Sequence, residues 1–149
     1  MFIQGDHFQA SAKKWFSDDR QGEIEAIKGL IREAIDAGAD LVMGHGPHYS
    51  LPVELYKGKP VFYGLGSFSF HTGHGKRKHG DWVGMLARVV VDDGKVSEAA
   101  FRLVRHNEAN ETYFCDPAKE SAALEQITSR SKAYGTRFSI SGDEVVIGL

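Results

Sequence analysis

The amino-acid sequence predicts an α/β protein with a mixed sheet, β-hairpins and two main helices, and three observations carry that prediction. From Gln21 to Ala37, apolar residues recur at three- and four-residue steps and lead directly into the short apolar run "DLVMG". Two stretches of strand composition fold back on themselves around Lys57-Gly58-Lys59 and Asp92-Asp93-Gly94-Lys95. A second helical spacing after Pro117 is followed by a further pair of short strands at the end of the chain.

Taken in order, Phe2-Ile3 reads as a strand remnant running straight into Gly5-Asp6-His7. In the first helix, Ile24, Ile27, Leu30, Ile31, Ala34 and Ile35 form one apolar stripe, with Asp18 or Asp19 placed to cap its start. Gly38 ends it, because glycine accepts the left-handed conformation that closes a last turn. A helix followed by a buried strand implies a helix packed on a sheet. "LPVELYKGKPVFYGLG" reads as two strands, and "WVGMLARVVVDDGKVSEAAFRLV" as a longer hairpin whose Asp-Gly turn supplies φ > 0 at little cost. The second helix is expected over Pro117 to Tyr134, on the strength of Leu124, Ile127 and the alanines around them. "RFSISGDEVVIGL" closes as a hairpin over Ser141-Gly142-Asp143. No internal repeat or low-complexity linker divides the chain, so it is expected to form a single unit.

Composition narrows the function. At 149 residues, one ordinary domain can bury about two-thirds of the surface its unfolded chain exposes. A formal charge of -2 provides no general basic footprint, which argues against nucleic acid as the partner. Cys115 is the only cysteine, so an intrachain disulfide and a cysteine-rich zinc site are both excluded. "MFIQGDHFQASAKKW" lacks the apolar core of a signal peptide, and no stretch approaches the ~18 apolar residues of a membrane span.

The chemistry concentrates after "DLVMG", where His45 and His48 are separated by Gly46-Pro47. Ligands collect at the carboxyl ends of strands in open α/β sheets, and imidazole is a common nitrogen ligand for transition metals. A rigid Gly-Pro spacer limits the entropy lost when two rings converge on one ion; the alternative is a turn that merely carries two exposed histidines.

The longer stretch "AGADLVMGHGPH", then "PVELYKGKPVFYGLGSFSF", closely resembles the capsule-synthesis CapA family, also called the poly-γ-glutamate biosynthesis family. That pattern runs as AGADLVIGHHPH, a Glu-x-Tyr-x-Gly-x-Pro strand pair, and YSLGNF. The resemblance implies a calcineurin-like metallophosphoesterase fold, an α/β sandwich around two divalent metal ions (Mn, Zn or Fe), with His45 and His48 supplying the last ligand pair. It also implies a phosphoester or anionic polymer as substrate, polymer-synthesis machinery as partner, and work at the cell envelope. Glu54 matches the family's glutamate and either orients a metal ligand or stands on the outward face of its strand with Val53 and Leu55 inward. Gly64 and Ser67 depart from the family's serine and asparagine.

The first-half ligands of that family have no counterpart. No Asp-x-His triplet occurs, neither Asn107 nor Asn110 precedes histidine, and the Gly-Asp pairs at residues 5, 80 and 142 lack the expected order. Asp6-His7 matches the first-half pattern poorly. The chain is therefore expected to carry the C-terminal part of such a sandwich, with residues 1–149 as one domain portion without the family's N-terminal half, either a fragment or a diverged short form. Three readings compete: a ligand-supplying part of a metallophosphoesterase, a non-catalytic accessory or scaffold domain with an anion-binding loop, and an unrelated histidine-rich metal binder. The last leaves the "ELYKGKPVFYGLG" match unexplained.

A second cluster, "HTGHGKRKHGD", gathers His71, His74, Lys76, Arg77, Lys78 and His79 in a glycine-rich loop. It is either an anion-binding loop for phosphate or a carboxylate-rich polymer, or a solvated turn whose charges serve solubility. His7 and His106 read as isolated surface residues. Phe68, Phe70 and Trp82 read as core or loop anchors.

Overall fold

The computed structural model describes residues 2–3, 20–69, 83–107, 109 and 111–149, with residues 2–3, 20–23 and 26 given by their backbone. Two helices and two sheets are present among them. The strand β1 (Phe2–Ile3), the helix α1 (Arg20–Asp36), and the strands β2 (Val42–Gly44), β3 (Val53–Tyr56) and β4 (Lys59–Phe62) come first. Then follow β5 (Gly84–Asp92), β6 (Lys95–His106), β7 (Thr112–Phe114), α2 (Ser121–Lys132), β8 (Phe138–Ser141) and β9 (Glu144–Ile147).

Helix α1 ends as glycine at residue 38 requires. Gly38 takes φ +107, its N–H reaches the Ile35 carbonyl at 3.0 Å, and the Ala39 N–H reaches Ala34 at 3.0 Å. This closes the exposed carbonyls of the last turn. Ile24, Ile31 and Ile35 are buried, whereas Leu30 is 58% exposed. Leu30 therefore leaves the stripe expected of it: it stands about 100° around the helix from Ile31, away from the sheet.

The first sheet runs β1-β2-β4-β3, with β1, β2 and β4 parallel and β3 antiparallel to β4. The strand predicted at Phe2-Ile3 thus has a partner, in the register Phe2 to Met43. The second sheet is antiparallel, ordered β5-β6-β9-β8, with β7 added along the far end of β6. Both two-residue turns predicted from Lys-Gly and Asp-Gly form, with φ of 52 and 75 at Lys57 and Gly58 and of 47 and 74 at Asp93 and Gly94. Positive φ at both positions matches the right-handed twist of the flanking strands.

The layers follow from which faces are apolar. Ile24, Ile31 and Ile35 of α1 pack on Val42, Val61 and Tyr63 on one face of the first sheet. Its other face gives Val53 and Phe62 to a core shared with Met85, Phe101, Leu103, Val145 and Ile147 of the second sheet and Ile127 of α2. A sheet covered on both sides leaves no solvent face along the start of β3, where Val53 and Glu54 are both buried. The outer edge of β3 is closed by side chains. Ser131 Oγ accepts from the Val53 N–H at 2.9 Å, and Thr136 Oγ1 accepts from the Leu55 N–H at 3.1 Å. Unpaired strand edges invite pairing with another chain, and these hydroxyls remove that opportunity.

Helix α2 is shorter than its expected span because residues 116–120 form a separate turn, in which the Asp116 carboxylate accepts from the Ala118 N–H at 3.0 Å. Glu120 precedes the helix and is held by Arg105 through two bonds, at 2.8 and 2.7 Å. The Arg105 hydrogen bond draws the Glu120 carboxyl below its ordinary value of 4.5, and Arg88 does the same for Glu144. A carboxylate depressed in the folded state contributes stability that is complete above the unfolded value and is lost as pH falls through the folded one. Glu120→Gln should therefore remove about 1 kcal/mol at pH 7 and flatten the loss of stability below about pH 4.5. Urea midpoints measured across that range test this; parallel pH curves for the two proteins would refute it.

Candidate functional site

The histidine loop begins where β2 stops. Gly44 is the last strand residue, and its carbonyl accepts from the Leu65 N–H at 3.2 Å. A β-carbon at Gly44 would lie 2.2 Å from the Tyr63 carbonyl oxygen, so only glycine lets β2 approach the end of β4 this closely. His45 follows and is exposed, while Pro47 is buried and His48 half-buried. The two rings therefore occupy one short loop at the carboxyl end of a parallel strand, as the sequence predicts.

The facing segment, residues 64–68, is locked to this loop along its length. The Leu51 N–H donates to Gly64 at 2.9 Å, Ser50 bridges Leu65, and the Ser67 N–H donates to the His48 carbonyl at 3.2 Å. Ser50 ties the loop to the second sheet, its N–H and hydroxyl both donating to the Val83 carbonyl at 3.0 and 2.8 Å. Within this frame, His48 Nδ1 lies 2.8 Å from Ser67 Oγ. The serine that departs from the family asparagine is thus the residue that touches the histidine. A serine hydroxyl can donate to this nitrogen or accept from it, and either way the contact orients the ring. Gly64, the other departure, leaves room for Leu51, whose side chain would come within 3.0 Å of an added β-carbon.

Glu54 is not on an outward face. It is 2% exposed, on the α1 side of the first sheet, where it accepts from Arg32 Nη2 and from the Tyr63 hydroxyl. The solvated reading fails because α1 covers that face as well. Burial, and then the bond to Glu54, pushes the Tyr63 phenol far above its usual range, so Tyr63 stays protonated and donates to Glu54. The Glu54 bond also raises the Arg32 guanidinium, which stacks over the Tyr56 ring at 4.7 Å. Both oxygens of Glu54 have partners other than the loop histidines.

His106 also departs from its surface reading. It is 4% exposed, and its Nε2 lies 2.7 Å from the Phe68 carbonyl, because β6 runs as far as residue 106 and pairs there with β7. Phe68 is 47% exposed, with its ring 6.5 Å from that of Phe114. His7, Phe70, His71, His74, Lys76, Arg77, Lys78, His79 and Trp82 lie outside the described residues. Among the described residues, no group of three or more His, Cys, Asp or Glu is arranged to hold a metal ion, and no helix is long and apolar enough to cross a membrane. His45 and His48 fit a divalent metal as nitrogen donors, one of them oriented by a hydroxyl, but as part of a ligand set.

Residues 13–72, which include α1, the histidine loop and the β3–β4 pair, match the family described as bacterial capsule synthesis protein PGA_cap. An uncharacterized protein of Sinorhizobium fredii is 51% identical over 43 residues, 29% of this chain and 9% of that protein. The PGA biosynthesis protein CapA of Bacillus subtilis is 50% identical over 44 residues, 30% of this chain and 12% of its own. The capsule biosynthesis protein CapA of Bacillus anthracis is 39% identical over 51 residues, 34% and 12% of the two chains. The matched stretches thus span about a tenth of the length of these relatives. Through the segment 13–72, the chain is similar to the bacterial capsule synthesis protein family.

Proposed function

We propose that this chain works in capsule or poly-γ-glutamate biosynthesis, and that His45 and His48 supply ligands to a divalent-metal site of a metallophosphoesterase-like sandwich. The observation that carries this reading is the His48–Ser67 pair, at the carboxyl end of β2 and inside the segment that matches the family. Names of relatives that match over this segment, capsule biosynthesis protein and PGA biosynthesis protein, support the biological setting. Bound metal would supply a Lewis acid and an activated water for attack on a phosphoester, and would favour a phosphorylated or carboxylate-rich substrate. The protein's own part is to hold two imidazoles at fixed positions, one on a buried proline turn and hydroxyl, the other toward solvent. Two imidazoles alone bind a divalent ion weakly, so a tight site needs more ligands than this pair.

The test is titration of the chain with Zn2+, followed through the imidazole NMR signals. His45 and His48 should move together at substoichiometric zinc, and His45→Ala/His48→Ala should lose that site while keeping its melting temperature. His71→Ala/His74→Ala/His79→Ala should retain it. Zinc that moves only the signals of His71, His74 and His79 would sink the ligand assignment and favour an accessory domain with an anion-binding loop.

A further inference from the structure

We propose that the cleft between α2 and β8 binds an extended segment of a partner protein, which adds as a strand to the outer edge of β8 with apolar side chains in the cleft and acidic ones beside Lys132 and Arg137. The proposal is independent of the metal-site reading. The cleft has a volume of about 640 Å3. Ser121, Leu124, Thr128 and Lys132, three or four residues apart on one face of α2, form one wall. Phe138 and Ile140 of β8 form the other, with Val145 of β9 beside them.

Strand β8 ends the order of the second sheet, so one of its edges has no strand next to it among the described residues. The register decides which groups that edge presents. The Gly148 N–H donates to the Arg137 carbonyl at 3.0 Å, and directly opposed residues of an antiparallel pair alternate between bonded and non-bonded. Ser139 opposite Val146 and Ser141 opposite Glu144 are therefore bonded pairs. Phe138 and Ile140 turn their N–H and C=O groups away from β9, and no described residue bonds to them there. The edge of β3 is closed by the hydroxyls of Ser131 and Thr136, but β8 has neither a proline nor a charge within Phe-Ser-Ile-Ser to block pairing. Ile140 is 55% exposed at this edge.

These groups specify the occupant. Main-chain donors and acceptors repeating every second residue match another extended backbone, and pockets for its alternate side chains select the sequence. An apolar side chain entering the cleft would cover Leu124 and Ile140. Charge narrows the choice further: Lys132 and Arg137 are exposed, and the side chain of neither has a hydrogen-bond or ion-pair partner among the described residues. Glu125, about two turns before Lys132 on α2, is the single anion among the described residues of the lining, and the two cations outweigh it.

The probe is a short capped peptide alternating valine and glutamate, added to the 15N-labelled chain. Binding should saturate, shift the amide signals of Phe138 and Ile140, and slow their exchange with D2O. Ile140→Pro should abolish binding at an unchanged melting temperature, because the N–H it removes points away from β9. Lys132→Glu/Arg137→Glu should weaken binding about 10-fold and reverse the preference toward the same peptide with lysine in place of glutamate. The valine-glutamate peptide with its backbone nitrogens methylated should not bind. If Ile140→Pro fails to fold, the charge-reversed chain and the methylated peptide decide the question. No saturable binding, shifts confined to residues outside α2 and β8, or undiminished binding of the methylated peptide would overturn the proposal. So would Phe138 and Ile140 signals that move with the chain's own concentration alone, which would assign the edge to a second copy.

Discussion

Glu54→Ala should destabilise the fold by about 3 kcal/mol, and Glu54→Gln by about 1 kcal/mol. The carboxylate is 2% exposed and accepts from both Arg32 and the Tyr63 hydroxyl, so truncation strands two donors. Tyr63 is fully buried and has no route to water for its hydroxyl. Arg32 keeps about a third of its side chain exposed and recovers some hydration, which holds the loss to the lower end expected for breaking a buried ion pair. Glutamine retains an oxygen that accepts from one of the donors and loses mainly the charge. Urea unfolding with an unchanged m-value would measure both. Equal costs for alanine and glutamine would mean that packing, rather than the Arg32–Glu54–Tyr63 network, holds this part of the sheet to α1.

The elements easiest to read in the sequence are those with a local cause. The 3.6-residue spacing of Ile24, Ile27, Ile31 and Ile35, the glycine at 38, and the Lys-Gly and Asp-Gly turns all act within a few residues of where they occur, and each forms as read. The failures are tertiary. Glu54 looks like the outward residue of a half-exposed strand until α1 covers that face. His106 looks isolated because its partner carbonyl is 38 residues away in sequence. The three-residue strand β7 has no hydrophobic period of its own and exists only as an addition to β6. At the candidate site, His45 and His48 were legible through a strand, a Gly-Pro spacer and a family pattern. Ser67 appeared as a departure from that pattern, and its contact with His48 required the folded backbone. The basic cluster from His71 to His79 remains a sequence-based expectation.

Gly44→Ala should cost about 3 kcal/mol and lower the melting temperature by about 10 °C, although it adds a single methyl group. The added carbon would sit 2.2 Å from the Tyr63 carbonyl oxygen, 2.9 Å from its carbon and 3.1 Å from the Phe62 carbonyl oxygen. All three are backbone atoms at the end of a central strand, so no side-chain rotation relieves the overlap. The strands must separate, weakening the pairing of Met43 with Phe62 and the bond from the Leu65 N–H to the Gly44 carbonyl. That bond starts the ladder that seats residues 64–68 against the histidine loop, so the variant should also loosen His48 from Ser67. Gly29→Ala provides the control. Gly29 lies within α1 with nothing inside 4 Å of an added carbon, and alanine there should stabilise the helix by about 1 kcal/mol. The same chemical change should thus have opposite signs at two positions, read side by side as melting temperatures. If Gly44→Ala melts with the wild type, β2 and β4 do not approach as closely as the fold requires, and the placement of the histidine loop fails with them.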